Sequence, residues 1–328
     1  MTHILVDTAN TFFRARHVIR GDTSEKVGMA IHIMMNSIKK AWQDFDGTHV
    51  VFCLEGRSWR KDHYAPYKRN RKEMADAMTE KEKEENEVFW EVYDEFCDFI
   101  KTKTNATVLR NARTEADDLI ARWIDKHPEE KHVIISTDKD LNQLITPRVK
   151  QYNGVTEITL TNEGWFDAKG NPVIDKKLKA PKPAPDTEWM IFEKAMRGDS
   201  SDNIFSAYPG VRTKGTKNKI GLQEAFADRH EKGYTWNNLM LSKWVDHDGN
   251  EHRVMQDYER NRLLVDLHAQ PEAIVEELDQ TIAQAKAENK SVDQVGIRFM
   301  RFCAKYDLNR ISEQAQLYVE PFNARLVS

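Results

Sequence analysis

Hydrophobic positions along the chain follow two patterns. Short apolar runs without alternation (Ile4-Leu5-Val6, Val50 to Leu54 and Val133-Ile134-Ile135) predict strands buried on both faces of a parallel sheet. A further short strand is expected at 107–109, and 150–160 reads as a hairpin turning at Asn153-Gly154. Between these runs the spacing is helical. Val27, Ala30, Ile31, Met34, Ile38, Ala41 and Trp42 stripe a helix over 24–44. Phe89, Tyr93, Phe96 and Ile100 mark a second helix, and Leu119, Ile120 and Trp123 a third that Thr114 caps.

Residues 175–186 are rich in Lys and Pro and read as an exposed loop; a helix over 189–196 then stops at Gly198. Periodic runs near 260–267, 273–287 and 295–302 make the rest mainly helical. The alternation predicts an α/β fold with a mostly parallel central sheet flanked by helices over 1–186. A helical region is expected over 187–328. The segment 57–100 lies inside the first part, and its stretch 73–87 is almost entirely polar, so it forms an exposed helix or an arch and not a core element.

Acidic residues stand where the apolar runs end. Asp7 follows the first strand, Glu55 the second, and Asp138 and Asp140 the fourth. Glu115, Asp117 and Asp118 open one predicted helix, while Asp199 and Asp202 follow another at a spacing that puts both on one side of a turn. Singly, each has an ordinary explanation: a loop aspartate, a cap, or a charge that complements a helix dipole. Five separate caps at corresponding positions are improbable. Ligands of open α/β sheets collect beyond the carboxyl ends of strands. Two carboxylates about 4 Å apart repel by roughly 4 kcal/mol at an effective dielectric near 20. Converging carboxylates therefore need cations, and oxygen-only ligands point to Mg²⁺ or Mn²⁺.

Charge distribution adds to this picture. The chain's net charge is −4, yet residues 57–72 carry seven basic side chains (Arg57, Arg60, Lys61, Lys68, Arg69, Arg71, Lys72) against one acid. Arg212, Lys214, Lys217 and Lys219 form a second basic stretch in a glycine-containing loop. Either run alone could be a solvated face. Beside an acidic cluster, the two together favour an anionic polymer held over a metal site. Cys53, Cys97 and Cys303 have no metal-ligand spacing and read as free thiols of a reducing compartment. No secretory signal pattern and no run of about 18 apolar residues is present, so a cytoplasmic protein without a membrane span is expected.

The motifs LVDTAN, YKRNRK, TEADDLIA, ISTDKDL and GDSSDN, in that order over about Met1 to Ala225, resemble the 5′-nuclease or flap endonuclease family, and the length suggests its phage branch. The resemblance implies a PIN-like 5′-nuclease core with a helical arch and a C-terminal helical region. It implies two Mg²⁺ ions, or Mn²⁺, with Asp7, Glu55, Glu115 and Asp117 around the first. Asp138, Asp140, Asp199 and Asp202 would surround the second, with Asp117 shared and Asp118 close by. Lys68 and Arg71 would draw the scissile phosphate toward the metals, and Tyr67 would stack on an unpaired base. Arg57, Arg60, Lys61, Arg69, Lys72 and the 212–219 loop would bind DNA, and the polar stretch 73–87 would lack fixed structure without substrate. The implied partners are branched or nicked duplex DNA with a 5′ single-stranded end, RNA–DNA hybrids and a single-stranded-DNA-binding protein, engaged by a monomer. Two positions depart from the family. Glu55 stands where aspartate is usual, and the loop after Asn203 is longer and lacks the Gly-x-Gly-x-Lys spacing.

Competing readings are a PIN-like endoribonuclease, which leaves the GDSSDN cluster unexplained, and a DNA-binding factor that no longer cleaves. A haloacid-dehalogenase-type phosphatase needs a second Asp two residues after its nucleophile, but Asp7 is followed by Thr8 and Ala9.

Overall fold

The computed structural model describes residues 1–16 and 21–327. In chain order these form β1 (Thr2–Asp7), α1 (Thr8–Arg16), α2 (Thr23–Asp44), β2 (His49–Leu54), α3 (Arg60–His63), α4 (Arg69–Asp76), α5 (Glu80–Thr102), β3 (Thr107–Arg110) and α6 (Ala116–Lys126). Next come β4 (Lys131–Ile135), a 3-10 turn (Asp140–Leu144), β5 (Val149–Asn153), β6 (Ile158–Thr161), β7 (Gly164–Phe166), β8 (Ile174–Asp175), β9 (Ala180–Pro181) and α7 (Thr187–Arg197). The remainder is α8 (Leu222–Ala227), α9 (Tyr234–Met240), β10 (Lys243–Val245), β11 (Glu251–Arg253), α10 (Val254–Val265), α11 (Glu272–Ala287), α12 (Val295–Lys305), α13 (Asn309–Ser312) and α14 (Ala315–Asn323).

Contacts divide the chain into two compact units: residues 1–58, 78–185 and 272–328 in one, residues 59–77 and 186–271 in the other. The chain re-enters the second unit at Asp186. The segments 59–77 and 272–328, however, each cluster away from their sequence neighbours.

The first unit is built on a seven-stranded sheet of order β3-β2-β1-β4-β5-β6-β7. Pairs from β3 to β5 are parallel, and β5-β6-β7 is an antiparallel meander whose first turn is the expected hairpin. Every residue of β1 and β2 is buried, as their unbroken apolar runs require. On one face lie α2, α5, α12 and α14, whose Met34, Ile38, Phe96, Phe99, Phe299 and Phe322 share a core with Ile4, Val6 and Phe52. The stretch 73–87, expected to lack fixed structure, is helical on either side of 77–79 and mostly exposed. There α5 starts at a capping box in which Thr79 Oγ1 accepts from Glu82 N (3.3 Å) and Glu82 Oε2 from Thr79 N (2.8 Å).

The second unit packs α7, α8, α9 and α10 around Phe192, Met196, Leu222, Trp236 and Tyr258, with Tyr64 and Tyr67 of the basic segment in the same core.

Candidate metal centre and basic segments

In the first unit the carboxyl ends of β1, β2 and β4 bring acids together. Asp7 ends β1 and is 3% exposed. Its Oδ2 accepts from Ser136 Oγ (2.7 Å), and Ser136 Oγ accepts from Asp138 N (3.0 Å). Asp138 Oδ1 accepts in turn from Asp140 N (2.8 Å), so one hydroxyl links β1 to the turn that carries the fourth-strand acids. Gln151 Nε2 fixes the same turn by donating to the Ser136 and Asp138 carbonyls (3.2 and 2.6 Å). Asn10 Oδ1 accepts from both Thr137 N (2.9 Å) and Thr137 Oγ1 (3.0 Å).

Glu55 leaves β2 and meets the start of α6, where its Oε2 accepts from Ala116 N (3.2 Å). Glu115, and not the expected Thr114, is the N-cap of α6. Its amide donates to Asp118 Oδ2 (3.1 Å), while its own Oε2 accepts from Ser58 Oγ (2.8 Å). Thr114 is displaced from the cap because the chain there runs beside β2: Gly56 N donates to the Thr114 carbonyl (2.9 Å) and Arg57 N to that of Ala112 (2.9 Å). A side chain at position 56 would put its Cβ 2.0 Å from the Asn111 carbonyl oxygen, so Glu55 must be followed by glycine.

The electrostatic consequence falls on Asp117. Burial first, then the charges of Asp7, Asp138, Glu55 and Glu115, push its carboxyl well above the usual carboxylate range. Beneath the cluster the Cys53 thiol is pushed up as well, by burial and then by Asp7, Asp117 and Glu55. The three cysteines are free. An oxygen-only donor set whose mutual repulsion raises one member is the environment a hard divalent cation relieves, so these residues fit such an ion.

In the second unit α7 ends at Gly198 (φ 75°), where a Cβ would lie 2.3 Å from the Ile204 carbonyl oxygen. The following loop closes on itself, Asp199 and Ile204 exchanging both backbone bonds (2.8 Å each). Asp199 accepts from Ser201 N (2.8 Å) and Ser201 Oγ (2.6 Å) and pairs with Lys194 at 2.6 Å. Burial opposes its ionisation, but Lys194 and Ser201 outweigh this and hold its carboxyl at about 2.

Asp202 gathers the basic segment: Arg71 Nη2 donates to Oδ1 (2.8 Å), Tyr67 OH to Oδ2 (3.4 Å), and Lys68 Nζ lies 3.9 Å from Oδ2. Lys68 is left-handed (φ 54°), held there as its amide donates to the Asp202 carbonyl (2.8 Å). Two sequence expectations do not fit this arrangement. Tyr67 is 4% exposed and packed in the unit's core, which leaves no ring face for a base. Arg60 is 2% exposed and donates through Nε to the Leu264 carbonyl (2.8 Å), so it holds α10 and does not face a phosphate. Arg57, Lys61, Arg69, Arg71 and Lys72 are exposed.

The side chains of Arg212, Lys214, Lys217 and Lys219 are exposed too. Their loop folds back so that Gly215 and Gly221 touch, and Glu224 Oε2 accepts from both amides (2.9 Å each). Sequence reasoning missed Ser136, Gln151, Asn10 and Lys194. Only Gly56, directly after a strand-end acid, carried a readable signal.

Among curated proteins, the chain is 28% identical to DNA polymerase I of Rhizobium leguminosarum over 242 residues, 68% of this chain and 20% of that protein. It is 29% identical to the flap endonuclease Xni of Aeromonas hydrophila over 175 residues, 51% of this chain and 58% of Xni. The chain thus spans well under two thirds of these relatives. Among solved structures, the T5 D15 protein co-crystallised with metal ions superposes with a TM-score of 0.58 at 21% identity, covering 88% of this chain and all of that one. The likeness extends to the fold, and among the described residues no helix is long and apolar enough to cross a membrane. The model of the 5′-3′ exonuclease N-terminal resolvase-like domain matches residues 2–171, more than half of the sequence, and the chain belongs to that family.

Proposed function

We propose that this chain is a divalent-metal-dependent, structure-specific 5′-nuclease, a flap endonuclease and 5′→3′ exonuclease that removes primers during DNA replication. The observation that carries the reading is Asp117, half-buried among four other carboxylates at the strand ends of a chain of this family. Asp7, Glu55, Glu115, Asp117, Asp118, Asp138 and Asp140 would hold the ions, Mg²⁺ or Mn²⁺, and Asp199 and Asp202 keep the candidacy that their motif gives them. When bound, two such ions supply activation of water and neutralisation of charge at the phosphorus.

The chain's own residues do the rest. Ser136, Gln151 and Asn10 fix the carboxylates, so the site reorganises little when substrate arrives. Arg71, whose side chain is 60% exposed, is anchored by Asp202 with the rest of its guanidinium free to meet a backbone phosphate. Lys68 acts beside it. The substrates are branched or nicked duplexes with a 5′ single-stranded end. RNA–DNA hybrids are included, because chemistry confined to the phosphate ignores the sugar.

The test is cleavage of a 5′-labelled flap duplex in Mg²⁺ or EDTA, beside single-stranded RNA and the variant Asp138→Asn. Mg²⁺-dependent cutting near the junction, reduced at least about 100-fold in the variant, is expected. Cutting of the RNA alone would transfer the assignment to an endoribonuclease. Tight flap binding without cutting would make the protein a DNA-binding factor.

A further inference from the structure

The lysine-rich segment that follows β7 has no part in the chemistry above. Residues 169–185 hold Lys169, Lys176, Lys177, Lys179 and Lys182 against a single acid, Asp175. The segment therefore carries +4 in a chain of net −4, and the remainder carries −8. Among the described residues none of the five lysines makes an ion pair.

A charge run is usually a solvated face. This one is ordered by its own bonds. Asp175 Oδ1 accepts from Lys177 N (2.8 Å) and Leu178 N (3.0 Å), and the Asp175 carbonyl accepts from Lys179 N (2.8 Å). Lys179 takes a left-handed conformation (φ 52°), and β8 and β9 pair on either side of the turn. Lys182 lies 3.8 Å over the Trp165 ring, its amide donating to the Val173 carbonyl (2.8 Å). Four prolines (Pro172, Pro181, Pro183, Pro185) stiffen the hairpin. Ordering lysines before any partner arrives lowers the entropic cost of meeting one.

Strand register places this element. Phe166 stands in one row across the sheet with Thr159, Tyr152, Ile135 and Val6, so β7 ends on the side where β1 and β4 present their acids. The chain bridges back at Phe166–Pro172 and runs down the sheet edge to the 176–179 turn. Lys169 stands at the carboxylate end and the other lysines lie along the edge. From β4 to β7 there are three strand spacings, roughly 14 Å. A duplex passing over that span presents about eight phosphates.

We infer that the 169–182 hairpin is a phosphate-contacting track for the duplex arm of the substrate. The inference rests on the nuclease reading and extends its footprint. The track suits a duplex better than a single strand, because it carries no aromatic of its own and Lys182 already sits over the ring of the neighbouring Trp165. Lysine point charges position a backbone without reading sequence.

The experiment compares the parent chain with the triple variant Lys176→Gln, Lys177→Gln, Lys179→Gln, all exposed positions. Binding of a fluorescent flap with a long duplex arm is titrated in EDTA over a range of salt. The slope of log K against log salt should become shallower by about 0.9 per lost phosphate contact, about 2.7 for three. The difference should vanish on a flap whose arm is too short to reach the hairpin. An unchanged slope, with a parent that binds and cuts the same flap in Mg²⁺, overturns the track alone and points to an acidic protein surface as its partner. A parent that neither binds nor cuts overturns the nuclease reading and the track with it.

Discussion

The three central strands of the first unit end in carboxylates and begin in histidines, and the two ends solve one problem differently. His49, His3 and His132 stand in one row across β2, β1 and β4. The His3 ring lies 5.3–6.4 Å, centroid to centroid, from those of His127, His132 and His49. Each of the row's imidazoles spends one nitrogen on a neighbour: His3 Nδ1 accepts from Trp123 Nε1 (3.1 Å), His132 Nε2 bonds the His127 carbonyl (3.0 Å), and His49 Nε2 bonds Thr107 Oγ1 (2.7 Å). Burial, above the repulsion of neighbouring charges, lowers His3 to about 3 and His49 and His132 to about 4. An imidazole escapes repulsion by staying neutral. The acids at the other end find no such relief as carboxylates, so repulsion bears on Asp117, and a bound cation would offset it. Ionisable clusters at two ends of one set of strands thus differ in what they demand: one needs nothing from outside, the other a metal.

The sharpest way to break this comparison is acid. A histidine whose folded pKa lies below its unfolded 6.5 contributes stability that is present above pH 6.5 and is lost as pH falls toward the folded value. Asp117, raised on folding, acts with the opposite sign in the metal-free protein. Three histidines together lose about 4 kcal/mol of stability per pH unit below 6.5, and Asp117 offsets part of that loss. Urea unfolding in EDTA across this range measures it. His132→Gln should flatten the slope by about 1.4 kcal/mol per pH unit, and an unaltered slope would remove the histidine row as its source.

Next in size is Ser136→Ala, which takes away the hydroxyl that Asp7 and the Asp138 amide share. Flap cleavage should fall about 10–100-fold, with roughly 1–2 kcal/mol of stability lost. Full activity in this variant would show that the carboxylates need no internal support. The smallest effect is a gain: Asp117→Asn should stabilise the protein in EDTA, and should shrink the rise in Tm on adding Mg²⁺. A variant that melts lower in EDTA would mean the cluster is not repulsive at that position.

Much of this was legible in the sequence, for local reasons. Apolar runs give strands, and an acid directly after a run must stand at a strand end, so Asp7, Glu55 and Asp138 were found without neighbours being known. What pairing alone decides was not legible. His3, His49 and His132 become a row only through strand register. Ser136 and Gln151 serve the site through bonds to β1 and to the turn, partners no spacing rule names. Arg60 sits in a run of seven basic side chains and looks solvated, yet the carbonyl it holds belongs to Leu264, some two hundred positions on. The role of 272–328 was hidden in the same way: its periodicity announces helices, while their docking on the sheet of the first unit depends on distant side chains.

That return of the late helices makes the acid-bearing strands depend on a distant part of the chain. Phe322, in α14, stacks on Phe52 of β2 (6.0 Å), and its carbonyl accepts from Asn105 N (2.8 Å) just ahead of β3. The strand that carries Glu55 is therefore roofed by a helix that lies more than two hundred positions further along the chain. Truncation ahead of α14 would bare Phe52 and loosen the strand on which Glu55 is mounted, so damage far from the acids in sequence would reach them through the back of the sheet.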